Sequence, residues 1–382
     1  MQTKKAMALT QMILLIIALI GALVVGVVID RYIISPPSTQ TKSIVYACWG
    51  GDFGNLTQKI AENYTRDFGT QILLEIHAGA SSTVINKIES IWPEVKIDLA
   101  AIAPSVAVQL AKAGYLAELN RNDLPILDQI PENLLIKYNG KIYGIGLYVI
   151  SVVSCAWRSD LVTTPIANWS DLFRPELNKK IATSHISLGT GDSVIMPAYW
   201  FGGSEFNLTA GWDALKQIAP HMAGIWTTET ECINMLASGT AHVGLCVTAD
   251  KLYQWHKQGV EISWIPYFND TEKAFAVAVD CVAVINGPRK ALAMNFLNYY
   301  MNPKNNEFMC SNIGLPPSNK YAQMNPDIVP FNPTQADIMN YGRIGDLDWK
   351  SSHINEWTTI WDEEIQPIIG TCLLYTSPSP RD

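Results

Sequence analysis

The residue best placed to do chemistry is Asp280, a carboxylate inside an otherwise apolar run from Val277 to Val284. A charged side chain in an apolar strand is costly to bury unless it gains a partner. An ammonium or a hydroxyl-rich group would be such a partner, because an ionised carboxylate accepts strong hydrogen bonds. We therefore predict that Asp280 contacts a ligand, with a purely structural hydrogen bond as the alternative.

A second group of candidates follows the first apolar strand, where Trp49, Gly50, Gly51 and Asp52 end the run that begins at Ser43. The face of an indole ring attracts alkyl ammonium groups. We predict that Trp49, Gly51 and Asp52 contribute to a ligand site. A tryptophan of the rim or core, and a solvated loop around Asp52, are the alternatives.

Three predicted helices begin with polar residues that could face a ligand. Ser81 and Ser82 open one helix, Asp192 opens another, and Thr228 and Glu229 precede a third. Free N–H groups and the helix dipole at such a start favour anions. Ordinary N-capping is the alternative at each of these positions.

Other classes of function have little support in the sequence. The six histidines are scattered, and the H-E-x-x-H, G-x-S-x-G and phosphate-loop patterns do not occur. Tyr299 and Tyr300 lie in a helix with a core pattern, so we interpret them as packing residues and not as iron ligands. A net charge of −8 without a basic patch disfavours nucleic acid. We expect no enzyme activity, no metal and no cofactor.

Strands and helices alternate along the chain, which predicts a parallel, doubly wound α/β sheet. The strand from Ser43 to Trp49, for example, precedes a helical pattern with Leu56, Ile60 and Tyr64 on one face. Two long apolar strands, near 144–157 and 275–285, bracket a middle block. This order predicts two lobes joined by two crossover strands, with a ligand cleft at the strand carboxyl ends.

The N-terminal region predicts a membrane anchor. The apolar run Met12–Ile29 is long enough to cross a bilayer as a helix, and Lys4 and Lys5 precede it. We predict an uncleaved signal-anchor with the rest of the chain outside the cell, and a cleaved signal is the alternative. Six cysteines lie in the body of the chain, mostly in apolar runs, and we expect buried free thiols although disulfides are permitted outside the cell.

The last residues, Cys372–Asp382, match the translation of a sequencing adapter and are left out of the fold prediction. The predicted organisation has six parts. These are a signal-anchor and stalk (1–42), the first part of lobe 1 (43–150), lobe 2 (151–279), the return of lobe 1 (280–345), a C-terminal helix packing on the lobes (346–371) and the adapter (372–382).

Several segments resemble, in order and spacing, the extracellular solute-binding proteins of ABC transporters, and most closely the spermidine/putrescine-binding branch. The resemblance covers about residues 43–365. The segments are Trp49-Gly50-Gly51-Asp52, Gly79-Ala80-Ser81-Ser82, Trp169-Ser170-Asp171-Leu172-Phe173 and Gly314-Leu315-Pro316-Pro317-Ser318-Asn319-Lys320.

The resemblance implies a type II periplasmic-binding-protein fold that closes over a small organic solute. The ligand would be polyamine-like, amine-containing or zwitterionic. The implied partners are an ABC permease and its ATPase, and we expect a monomer. By position, Asp192 resembles the acidic residue that meets an amine in the polyamine branch, whereas Ala278 and Cys246 stand where that branch carries aromatic residues. An anchored hydrolase or transferase, and a ligand-sensing ectodomain, are the alternative functions.

Overall fold

The computed structural model describes residues 42–77, 81–94 and 96–369. The predicted anchor, Met12–Ile29, and the segment Cys372–Asp382 lie outside these residues. Within the described ranges, no helix combines the length and apolar character that a bilayer span requires. The membrane anchor therefore stays a prediction.

Thirteen strands among the described residues form two sheets. They are β1 (Ser43–Trp49), β2 (Gln71–His77), β3 (Leu99–Ile102), β4 (Leu135–Tyr138), β5 (Lys141–Gly146), β6 (Ile150–Arg158), β7 (Ile181–Ser184), β8 (Met222–Trp226), β9 (Val243–Thr248), β10 (Ile262–Ile265), β11 (Phe275–Ala278), β12 (Cys281–Val284) and β13 (Gly342–Arg343).

The first sheet has the order β2-β1-β3-β12-β5-β4. Strand β1 pairs in parallel with β2 and with β3, as strand–helix alternation predicts. Strand β12 joins antiparallel between β3 and β5. The prediction of a purely parallel sheet is therefore wrong, because a strand that returns from the other lobe enters the sheet from the opposite end.

The second sheet repeats this arrangement. Its order is β13-β11-β6-β9-β7-β8, and β10 also pairs with β6. Strand β7 lies between β8 and β9 and is parallel to both, while β6 is antiparallel to β9. Each lobe therefore has one central strand with a parallel neighbour on either side and a crossover strand next to this parallel group.

Helices cover both sheets. The α-helices of the described residues are α1 (Gly51–Phe68), α2 (Ser81–Ile91), α3 (Pro104–Lys112), α4 (Asp192–Trp200), α5 (Thr209–Ile218), α6 (Glu229–Ala237), α7 (Ala249–Lys257), α8 (Lys290–Tyr300), α9 (Pro303–Ile313), α10 (Gln335–Tyr341), α11 (Leu347–Ile360) and α12 (Gln366–Ile369). Short 3₁₀ helices are Pro125–Gln129, Glu132–Leu134, Trp169–Phe173, Pro175–Leu177, Leu188–Thr190, Ala219–His221 and Val329–Phe331, and a π-helical turn, Trp361–Ile365, joins α11 to α12.

Packing in the core follows the apolar patterns of the sequence. Helix α1 buries Leu56, Ile60 and Tyr64, the face that the periodicity predicts. Tyr300 is 2% exposed and shares a hydrogen bond of 2.9 Å with the Thr57 hydroxyl, which confirms it as a packing residue. The six cysteines among the described residues are buried thiols, as expected: Cys48, Cys155, Cys232, Cys246, Cys281 and Cys310.

The chain passes between the two sheets at two adjacent crossovers. Residues 147–149 join β5 to β6, and residues 279–280 join β11 to β12. The N–H of Leu147 donates to the C=O of Asp280 at 2.8 Å, so the crossovers run side by side. The predicted two-lobed α/β fold with two crossover strands is confirmed.

The C-terminal helix contacts both lobes. Asp348 at the start of α11 forms an ion pair with Lys112 of α3, and Lys350 forms one with Asp192 of α4. Strand β13 pairs with β11 in the second sheet, although the predicted return segment 280–345 places it with lobe 1. The other domain boundaries stay predictions.

Candidate functional site

The carboxyl ends of the parallel strands carry most of the predicted ligand residues. In an open α/β sheet, ligands bind in the crevice outside these ends. In lobe 1 the relevant strands are β1, β2 and β3, and in lobe 2 they are β7, β8 and β9. Asp280 lies on neither set of strand ends, because it belongs to a crossover between the lobes.

Trp49 ends β1 and is partly exposed. Its ring packs edge-on against Phe53 and against His77, with ring centroids 5.4 and 5.5 Å apart. These contacts fix the orientation of the indole and leave part of its surface open to solvent. Trp49 therefore has a fixed orientation at the carboxyl end of the first sheet.

The segment after Trp49 turns directly into helix α1. Gly51 has φ +62, and a Cβ there would meet no atom within 4 Å, so the glycine is needed for its left-handed backbone and not for space. The N-cap residue Gly50 provides no side-chain cap. The first N–H groups of α1 therefore keep their capacity to donate. Asp52 lies in this first turn and is exposed.

Asp280 is partly buried and has a partner in the other crossover. The hydroxyl of Tyr148 donates a hydrogen bond to one of its carboxylate oxygens. The other oxygen has no hydrogen-bond partner among the described residues. Burial raises the pKa of Asp280 above its ordinary value, and the Tyr148 hydrogen bond opposes that rise. Tyr148 therefore supplies a structural hydrogen bond, the alternative given for Asp280, while the contact of Asp280 with a ligand stays a prediction.

Asp192 is 6% exposed and also has a partner. Lys350 Nζ lies 2.9 Å from Asp192 Oδ1, and both side chains are 8% exposed. The N-cap of α4 is Gly191, so the alternative of an N-cap aspartate is wrong. The resemblance places Asp192 against a ligand amine, but in this chain an internal ammonium already holds one of its oxygens.

Thr228 caps helix α6. Its hydroxyl accepts a hydrogen bond from the N–H of Glu231 at 3.2 Å, and the Glu231 carboxylate accepts one from the N–H of Thr228 at 3.2 Å. Backbone and hydroxyl hydrogen bonds from Thr227 are the main reason that the pKa of Glu231 is lowered. Thr228 is therefore an N-cap residue, which is the alternative given for it. Glu229, Ser81 and Ser82 begin their helices, and their side chains lie outside the described part of the chain.

A cavity of ≈ 40 Å³ lies at the carboxyl ends of the strands in lobe 2. Its lining includes Val152, Ser184, Asp192, Trp226, Cys246 and Thr248. Such a volume holds only a few water molecules, so a larger ligand also needs space on the lobe 1 side. Two larger grooves have volumes of ≈ 520 and ≈ 590 Å³. The first is lined by residues of β4, β13 and the start of α11, and none of the candidate ligand residues lines either groove.

Cys246 is a buried cavity residue with an unusual backbone. Its φ is +56, a left-handed conformation that is uncommon outside glycine. In the register of β6 with β9, Val153 pairs with Val247 and Cys155 pairs with Leu245. Cys246 between them has no partner residue in this register. Burial raises the pKa of its thiol, and nearby Asp192 adds to the rise. The distortion places an uncharged thiol at the edge of the cavity, at a position where the resemblance leads us to expect an aromatic ring in the polyamine branch.

The sequence did not predict two residues that contact the candidate acids, Tyr148 and Lys350. Tyr148 looks like one more apolar position of a crossover strand, and its pairing with Asp280 depends on the two crossovers lying side by side. Lys350 lies 158 residues after Asp192. Once both crossovers are known, a tyrosine opposite a lone acid predicts a hydrogen bond between them. No feature of the sequence predicts that Lys350 pairs with Asp192.

Comparison with known proteins identifies the sequence family. The profile of the family described as bacterial extracellular solute-binding protein matches residues 59–334. No curated protein matches the sequence.

Solved structures share the fold at low sequence identity. An ABC transporter protein from Clostridium perfringens has a TM-score of 0.72 and 21% identity, over 84% of this chain and 99% of that chain. The spermidine/putrescine substrate-binding protein of Streptococcus pneumoniae, in complex with calcium and HEPES, has a TM-score of 0.65 and 15% identity, over 84% and 99%. A Trichodesmium protein in complex with iron and citrate has a TM-score of 0.66 and 16% identity, over 85% and 99%. These likenesses show the fold, and the bound molecules differ among them.

Proposed function

The chain belongs to the bacterial extracellular solute-binding protein family, and we propose that it is the membrane-anchored receptor of an ABC importer. It binds a small organic solute with an amine group between its two lobes and delivers it to a permease driven by an ATPase. Met12–Ile29 anchors it, so that the lobes lie outside the cytoplasmic membrane. The receptor acts as a monomer and without a cofactor. The family match does not favour the alternatives of an anchored hydrolase, an anchored transferase or a sensing ectodomain.

The Asp280 carboxylate carries this proposal. It lies at the crossovers, where a ligand between the lobes meets both of them, and one of its oxygens has no partner among the described residues. An ammonium group would complete the coordination of this carboxylate. Trp49, Gly51 and Asp52 supply the lobe 1 side of the site, and Ser81, Ser82 and Glu229 stand at helix starts that can contribute N–H donors.

A screen followed by calorimetry tests the proposal. Amines, amino acids and betaines are first screened with the full chain, because a ligand that binds only the folded protein raises its melting temperature. We expect Asp280→Asn to weaken binding of the best hit about tenfold or more, since a charged hydrogen bond contributes about 1.5–3 kcal/mol. Asp327→Asn removes an exposed carboxylate elsewhere and should leave the affinity unchanged. Equal affinities of the parent and Asp280→Asn would show that Asp280 is only a structural acceptor.

A further inference from the structure

The ion pair between Asp192 and Lys350 bears on which ligands the cleft accepts, a question that rests on the proposed function. Asp192 lines the lobe 2 cavity together with Ser184, Trp226 and Cys246. A carboxylate in such a cavity would ordinarily be a site for an ammonium group. Here the ammonium is already supplied by the protein, at 2.9 Å from Asp192 Oδ1.

Helix α11 holds Lys350 firmly in this position. The Asp346 carboxylate caps the helix by accepting hydrogen bonds from the N–H groups of Asp348 and Trp349, at 3.0 and 2.9 Å. The Trp349 indole N–H donates to the C=O of Glu205 at 2.9 Å. The first turn of α11, which leads directly into Lys350, is therefore tied to lobe 2 through Trp349 and to lobe 1 through the ion pair of Asp348 with Lys112.

The nearby carboxylate of Glu205 does not compete with Asp192 for Lys350. Glu205 is committed to the Tyr199 hydroxyl at 3.0 Å and to the N–H of Asp346 at 2.8 Å. Among the described residues, Lys350 forms the ion pair with Asp192. Because both side chains are 8% exposed, water screens this pair poorly and the two charges largely cancel within the cavity wall.

We infer that Lys350 is a specificity-determining residue, which converts an amine site in lobe 2 into an uncharged wall. The cleft then takes a ligand with one cationic group at Asp280 and an uncharged end against Ser184, Trp226 and Cys246. A second ammonium in the cavity would meet the positive charge of Lys350 beside Asp192 and find no unpaired acid among the described residues that line the cavity. The receptor therefore rejects diamines and polyamines, in contrast to its spermidine/putrescine-binding relative.

Amine binding by the full chain and by Lys350→Met tests this inference. Methionine keeps the apolar stem of lysine and removes the ammonium, so Asp192 loses its partner. The probes are putrescine, cadaverine and spermidine, with n-butylamine as the control that carries a single ammonium. We expect Lys350→Met to bind at least one of the three probes tenfold or more tightly than the parent does, with n-butylamine changed less than threefold. The double variant Lys350→Met/Asp192→Asn should lose this gain.

Lys350→Gln serves as a second variant, because its amide can still donate to Asp192 while the charge is gone. Lys350→Gln should show a smaller gain in affinity for the same probes. It also allows the inference to be tested if Lys350→Met does not fold. The inference is overturned if neither variant gains affinity for any of the three probes. It is also overturned if the parent prefers them to n-butylamine and loses that preference in Asp192→Asn. The proposed function is judged separately, by the solute screen and by Asp280→Asn, so the two can fail independently.

Discussion

Two acidic residues occupy equivalent places in the two lobes. Asp52 and Asp192 each lie in the first turn of the α-helix that follows the middle one of the three parallel strands, β1 in lobe 1 and β7 in lobe 2. Asp52 is exposed and forms no hydrogen bond or ion pair with another described residue. Asp192 is buried and paired with Lys350. The same topology therefore presents an open acid in one lobe and a neutralised acid in the other.

This difference indicates that the two lobes contact a ligand in different ways. Lobe 1 offers a partly exposed indole, an exposed carboxylate and a helix start without a side-chain cap. Lobe 2 offers a small cavity whose acid is already paired with Lys350. The equivalent helix start, that of α4, also lacks a side-chain cap, whereas the neighbouring start of α6 is capped by Thr228. We expect a ligand to form its polar contacts with lobe 1 and the crossovers, and to be covered by lobe 2 on closure.

Loss of the ion pair between Asp192 and Lys350 in lobe 2 should have the largest effect on stability. Lys350→Met should lower the free energy of unfolding by about 3–5 kcal/mol, because it leaves the buried Asp192 charge without a partner. Urea unfolding of the empty protein measures this change. Lys137→Met breaks a surface pair with Glu132 in lobe 1 and should cost less than about 1 kcal/mol. Equal losses in the two variants would show that the buried pair has no special role.

The pH dependence of Asp280 gives the next largest effect. Burial raises the pKa of Asp280 above its ordinary value. At a pH between the ordinary and the raised pKa, the folded protein therefore holds a proton that the unfolded chain has released. The stability of the empty protein should therefore fall as the pH rises from the ordinary carboxyl range through the raised pKa.

Affinity for a cationic ligand should change in the opposite direction. It should decrease by about tenfold for each pH unit below the pKa of Asp280, because only the ionised carboxylate attracts the ligand. Calorimetry across the acidic range measures this slope with the best hit of the solute screen. Asp280→Asn should flatten both pH profiles, and unchanged profiles in that variant would assign the titration to another group.

The smallest expected effect concerns the capped helix start of lobe 2. Thr228→Ala removes the hydroxyl that accepts from the N–H of Glu231 and should cost about 1 kcal/mol of stability. Thermal and urea unfolding measure the loss. Thr359→Ala, at an exposed position inside α11, should cost less than about 0.5 kcal/mol. If Thr228→Ala also weakened ligand binding tenfold at unchanged stability, the hydroxyl would belong to the site and not to the cap.

Local patterns in the sequence predict the strands, the helices and the two crossovers. Asp280 is visible because it interrupts an apolar run, and Trp49 because it ends one. Both features depend on a few neighbouring residues. The mixed direction of the sheets was not predicted, because it depends on how the returning crossovers enter each sheet.

The partners of the acidic residues depend on contacts between distant parts of the chain. Tyr148 and Asp280 are 132 residues apart, and Asp192 and Lys350 are 158 residues apart. Neither pair leaves a local pattern, because each partner is ordinary in its own segment. Sequence patterns therefore locate the charges that need partners, and the structure supplies the partners.

The buried cysteines have a consequence for how such a receptor is made. The six cysteines among the described residues are thiols, and all are shielded from solvent. Burial raises the pKa of Cys48 to about 12, so its reactive thiolate is scarce at neutral pH. Maturation of this part of the chain outside the cell then requires no disulfide-forming catalyst, and the same fold can be produced in the reducing interior of an expression host.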